Sequence, residues 1–131
     1  MKITQINKTG NWNSPLWTKT QKEALQNATE NTPIGEHLLL ETDTFKVWSI
    51  HLPKGKSLPF HKHNKPYFFT IKNKGKSRSF YADGTITETA YQKDDIKYFN
   101  KLNTYDYFIH NLENIGDTTL IFTTVEFKRN E

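Results

Sequence analysis

Gly55–Gly75, GKSLPFHKHNKPYFFTIKNKG, is the stretch from which the fold of this chain is read. His61 and His63 stand two residues apart, just ahead of the strongly β-forming run Tyr67-Phe68-Phe69-Thr70-Ile71. In an extended strand, side chains at i and i+2 leave the same face. Both imidazoles then converge on one point while Lys62 turns the other way. On a helix the same spacing splays them apart. Two imidazoles on one strand face are half of a metal site, and the other half must come from elsewhere in the chain.

Length and composition bound what that chain can be. At 131 residues it is long enough for one domain with a real core and too short for two ordinary ones. Its 18 basic and 14 acidic residues give a net charge of +4. The lysines are spread out, and the densest basic run, Lys72 to Arg78, reads as a solvated hairpin rather than a nucleic-acid patch. There is no cysteine, which removes disulfides, thiolate ligands and a cysteine nucleophile, so any metal is held by nitrogen and oxygen. No apolar run approaches the length that crosses a bilayer, and the first residues, MKITQINKTGNWNSP, lack the apolar centre of a secretory signal. A cytoplasmic protein with no membrane or nucleic-acid partner is the expectation.

Most of the remaining sequence reads as short strands. A weak strand is expected at Lys2–Asn7. Ser14-Pro15 supplies a capping hydroxyl and a proline suited to the first helical turn, predicting a helix from Pro15 to Ala28 that Asn31-Thr32-Pro33 ends. Trp12 and Trp17 are expected to pack this segment, residues 1–34, onto a main body formed by residues 35–131. In that body, strands are predicted over His37–Leu40, Phe45–Leu52, Tyr67–Lys72, Ser77–Ala82, Thr85–Ala90, Asp95–Asn100, Tyr105–Leu112 and Thr118–Phe127. Asp83-Gly84 is the strongest hairpin signal and predicts a tight turn of residues tolerant of positive φ. With the weak first strand and the His61/His63 segment these make about nine or ten short strands and one early helix, which argue for an all-β sandwich or barrel. Phe69, Ile71, Phe99, Phe108, Phe122 and Val125 are expected to fill it, while His37 and His51 are read as structural and Asp106 as an exposed strand-end carboxylate.

The second half of the site is sought in TYDYFIHNLENIGD, where alternation puts Asp106, Phe108 and His110 on one face. Asn114-Ile115-Gly116-Asp117 then turns into the last strand. The pattern G-x5-H-x-H-x3-Y-x7-G, followed downstream by H-x3-N-x-G-D, resembles the two signature motifs of the cupin superfamily, small RmlC-like jelly rolls. The likeness covers roughly residues 44 to 127, nearly the whole predicted barrel. Gly55, His61, His63 and Gly75 match the first motif, and His110 and Asn114 the second. Tyr67 stands where the first motif usually has glutamate, and its last spacing is one residue longer. Lys93-Asp94 replaces a common Gly-Asp pair, and Tyr105-Asp106-Tyr107 replaces Pro-x-Gly.

The resemblance implies a double-stranded β-helix with a short N-terminal helix. It also implies one divalent transition metal (iron, nickel, zinc, copper or manganese) held inside the barrel by His61, His63 and His110. Tyr67 is the expected catalytic or orienting group beside it. A small polar metabolite is the expected ligand and a homodimer the expected assembly. Three functional readings follow: a metal-dependent oxygenase, isomerase or hydrolase; a binding or sensing module without catalysis; and a metal-free epimerase-like cupin with His61 or His63 as base and Tyr67 as acid.

Overall fold

The computed structural model describes residues 1–28 and 31–129. Within them the β-branched and aromatic runs form ten strands: β1 Lys2–Gln5, β2 His37–Glu41, β3 Phe45–Leu52, β4 Ser57–His63, β5 Tyr67–Ile71, β6 Gly75–Phe80, β7 Ile86–Tyr91, β8 Ile96–Phe99, β9 Phe108–Asn114 and β10 Leu120–Phe127. They make two five-stranded antiparallel sheets, ordered β1-β7-β6-β9-β4 and β2-β3-β10-β5-β8. The sheets face each other. Ile50, Leu52, Leu58, Ile71, Leu112, Leu120 and Phe122 form one apolar core cluster between them. Among the described residues no helix is long and apolar enough to cross a membrane.

The early helix starts later than Ser14-Pro15 predicts. Helix α1 runs Lys19–Gln26, and its capping side chain is Thr18, which accepts from the Gln21 N–H at 3.2 Å. Ser14 instead makes a turn, its carbonyl accepting from the Trp17 N–H at 2.9 Å. That turn is what places Trp17, as expected, on the main body. The indole is buried against Phe60 and Phe80 on the outer face of the first sheet, and its Nε1 donates to the Gly84 carbonyl at 2.8 Å. Trp12, half-exposed, packs on Trp17 at 4.7 Å. The chain just beyond α1 then covers an otherwise open edge: the Asn31 carbonyl accepts from the Lys62 N–H, and its amide donates to the Phe60 carbonyl.

Three further expectations need correction. Strand β9 begins at Phe108, not Tyr105, because Asn103 Oδ1 gathers the N–H groups of Tyr105 and Asp106 into a turn. The Asp83-Gly84 hairpin forms, but as a longer loop between Tyr81 and Thr85 in which only Gly84 has positive φ, +89°. Val125 does not fill the barrel. Phe122 and Thr124 face in, so Val125 faces out, paired between Val47 and Phe68. It belongs to an uncharged row across the outer face of the second sheet: Leu40, Val47, Val125, Phe68 and Tyr98, one from each strand, with Leu40 and Tyr98 50% and 59% exposed.

Candidate metal centre

Register, not loop geometry, assembles the three histidines. β4 and β9 pair so that His61 lies directly opposite His110, and His63 opposite Phe108. The pairing is interrupted between Leu58 and His61, where Pro59 and Phe60 form a bulge. A bulge resets which face the following residues use. Leu58 therefore faces the core, Phe60 packs outward under Trp17, and His61 and His63 return to the interior with Lys62 between them. The ring centres stand 4.7 Å (His61–His63), 4.8 Å (His61–His110) and 5.0 Å (His63–His110) apart. One ligand nitrogen from each lies within 4.8 Å of the others.

Electrostatics keeps these rings neutral. Burial, opposed by a hydrogen bond to the Pro59 carbonyl, lowers the His61 pKa to about 4. Burial first, then the like charges of neighbouring imidazoles, hold His63 and His110 well below the ordinary histidine range. His61 Nδ1 lies 2.7 Å from the Pro59 carbonyl, so it carries the proton and leaves the Nε2 lone pair free. The Nδ1 atoms of His63 and His110 are buried with no hydrogen-bond partner among the described residues. Neutral rings, a backbone group fixing one tautomer, and buried nitrogens without partners all fit a group that accepts lone pairs. These three residues could hold a metal ion.

The site opens on a cavity of about 430 Å³ between the two sheets. Tyr67, the first residue of β5, enters from the opposite sheet; its ring stacks on His63 at 4.2 Å and on Phe99 at 4.6 Å. Burial raises its phenol pKa well above the ordinary value, which makes it a neutral hydrogen-bonding group rather than a phenolate. Phe108 lies 4.9 Å from both His63 and His110, closing the wall beside them.

Solved structures share this architecture. The chain is similar to a cupin domain of Bordetella pertussis Tohama I, at 19% identity and a TM-score of 0.61, covering 77% of this chain and 98% of that one. It is also similar to a double-stranded β-helix protein of Klebsiella pneumoniae (20% identity, TM-score 0.54, 79% and 85% covered). A third likeness is to an RmlC-like cupin family protein of Methanocaldococcus jannaschii (24% identity, TM-score 0.54, 70% and 76% covered). The fold is the cupin double-stranded β-helix. No protein-family model and no curated protein matches the sequence.

Within the cupin barrel the sequence-predicted residues divide cleanly. His61, His63, His110 and Tyr67 come together, with Phe69, Phe99, Phe108 and Phe122 lining the same cavity. Asn114 does not join them. Its amide donates to the carbonyls of Leu52 and Thr118, and its Oδ1 accepts from the Gly116 N–H, which makes it a buried clamp on the turn into β10. His37, His51 and Asp106 are exposed and away from the site. Sequence reasoning missed Tyr81, whose ring lies 5.3 Å from His110, and Lys97, which lines the cavity from β8. The Asp83-Gly84 turn signal, two residues on, was the clue to Tyr81. For Lys97 the clue was Phe99, expected inside the barrel two residues on, since alternation turns both to one face.

Proposed function

We propose that this protein is a metal-binding cupin that holds one divalent transition metal through His61, His63 and His110, and that it binds or transforms a small polar metabolite in the adjoining cavity. The observation that carries the reading is three neutral imidazoles, two buried and one partly buried, converging from two paired strands onto a cavity large enough for a metabolite. A bound ion would supply a Lewis-acidic centre with open coordination positions. The chain's own part is to fix His61 by its Pro59 contact, exclude bulk water with Phe108 and Tyr67, and offer the Tyr67 hydroxyl as a neutral hydrogen-bond donor that orients the ligand. A non-catalytic binding role is the second reading. It is favoured by the scarcity of general bases, since Asp83 is the one carboxylate among the described residues lining the cavity.

Elemental analysis of untagged protein tests the site, beside a His61→Ala/His63→Ala variant. About one iron, nickel, zinc, copper or manganese per chain is expected in the parent and none in the variant. A parent that takes up no added metal overturns the reading.

We also propose that two copies pair through the outer row of Leu40, Val47, Val125, Phe68 and Tyr98. The support is that the row is apolar, uncharged and continuous across all five strands, so a copy meets a copy without like-charge repulsion. Light scattering is expected to give twice the chain mass, falling to one chain in Val125→Lys. A monomeric parent refutes the pairing.

A further inference from the structure

Two charged side chains line the cavity among the described residues, Lys97 and Asp83. β8 turns Lys97 and Phe99 inward, opposite Phe69 and Tyr67 of β5. The Lys97 ammonium sits 4.9 Å from the centre of the Phe99 ring. Phe99 stacks on Tyr67 and Tyr67 on His63, so one aromatic wall runs from the lysine to the histidines. Among the described residues no carboxylate pairs with Lys97. Asp83, the cavity's one carboxylate among those residues, is already engaged: its Oδ1 accepts from both the N–H and the hydroxyl of Thr85. Burial pulls the Lys97 pKa below its ordinary value, as expected of a charge taken partly out of water with no opposite charge beside it.

We infer that the cavity's ligand is an organic carboxylate with an apolar or aromatic body, and that Lys97 is the residue that pairs with its acid group. The inference rests on the cavity being a ligand site, as proposed above. The Met1 amino group is paired with Asp95 at 3.0 Å, so Lys97 is the lining's one ammonium without a carboxylate among the described residues. It suits a monoanion, since a phosphate dianion calls for several donors and the lining offers no arginine. The body of such an acid lies along Phe99 and Tyr67, where its apolar surface leaves water. Its far end then reaches toward the histidines.

The test is calorimetric titration of hexanoate and phenylacetate, each beside its neutral amide, and of inorganic phosphate, into the full chain. It is run on the protein with and without added metal, on Lys97→Met and on Lys97→Arg. Parent protein is expected to bind at least one acid about tenfold or more tightly than its amide, about the preference one buried charge pair confers. Lys97→Met loses that preference while keeping the parent's metal content and circular dichroism, and Lys97→Arg keeps it. An acid bound no better than its amide throughout the panel, a preference undiminished in Lys97→Met, or phosphate bound as tightly as the acids overturns the inference. If the acid preference stands in protein that takes up no metal, the metal reading falls and the Lys97 assignment survives.

Discussion

On acidification from pH 7.5 to pH 5, metal-free protein is expected to lose several kcal/mol of stability, before most carboxylates begin to titrate. The cause is the buried imidazoles. In the unfolded chain a histidine takes up a proton near pH 6.5, whereas His61 in the folded chain does so at about 4. Between those values the unfolded state binds more protons, so stability falls as pH falls. For His61 alone the full loss is about 3 kcal/mol, of which about 2 kcal/mol has gone by pH 5. His63 and His110 are shifted in the same direction by the same burial and add to it. Glu126 works against them. Burial raises its pKa, so the folded state gains its proton first and that group favours folding as pH drops. One carboxylate does not offset three imidazoles. Urea unfolding of chelator-treated protein across this range measures the effect, with His61→Gln/His63→Gln/His110→Gln as the reference. A urea midpoint that stays flat down to pH 5, or falls equally in the triple variant, contradicts the assignment of three neutral buried rings.

Gly84→Ala is expected to be the most damaging single methyl in the chain. Gly84 has φ +89°, a conformation that costs an alanine about 1–2 kcal/mol. A Cβ there also meets the Gly10 carbonyl oxygen at 2.5 Å, and backbone cannot swing aside as a long side chain can. The crossing is tight from both directions, because a Cβ on Gly10 meets the Asp83 carbonyl oxygen at 2.6 Å. Forcing the two loops of this crossing apart also strains two hydrogen bonds that hold the N-terminal segment, from Asn7 Nδ2 and Trp17 Nε1 to the Gly84 carbonyl. Overpacking adds about 1–3 kcal/mol. Gly55→Ala is the internal control: its φ is +78°, yet nothing lies within 4 Å of the added methyl. Urea midpoints should therefore fall about twice as far or more in Gly84→Ala as in Gly55→Ala. Equal losses would show that the N-terminal segment is not pinned at this crossing.

The sequence carried the fold and the convergence of three histidines because both depend on a period of two. Alternation marked most strands, and His61 and His63 shared a face whatever preceded them. What alternation could not carry was direction where both faces of a strand are apolar. Val125 looked like core, yet it lies outside because Phe122 and Thr124 are the residues of β10 in register with the inward side. The helix start was misplaced for a different reason. Ser14 and Thr18 both precede plausible helical residues, and only the docking of Trp17 between Phe60, Phe80 and Gly84 decides which hydroxyl caps. Lys97 went unmarked because a lysine ordinarily reads as solvated, although alternation from the inward Phe99 puts it on the cavity side.

The pairing of His61 with His110 across one ladder has a consequence for engineering. All three imidazoles belong to a single antiparallel pair, two at alternate positions of one strand and the third opposite the first. Nothing in that arrangement requires the other eight strands except as walls. The motif is therefore portable: two alternate histidines and one facing histidine, written onto the inward face of any covered hairpin of matching twist, should reproduce the same triangle of nitrogens. Transplanted in this way, it would test whether the ladder alone holds the proposed ion without the barrel around it.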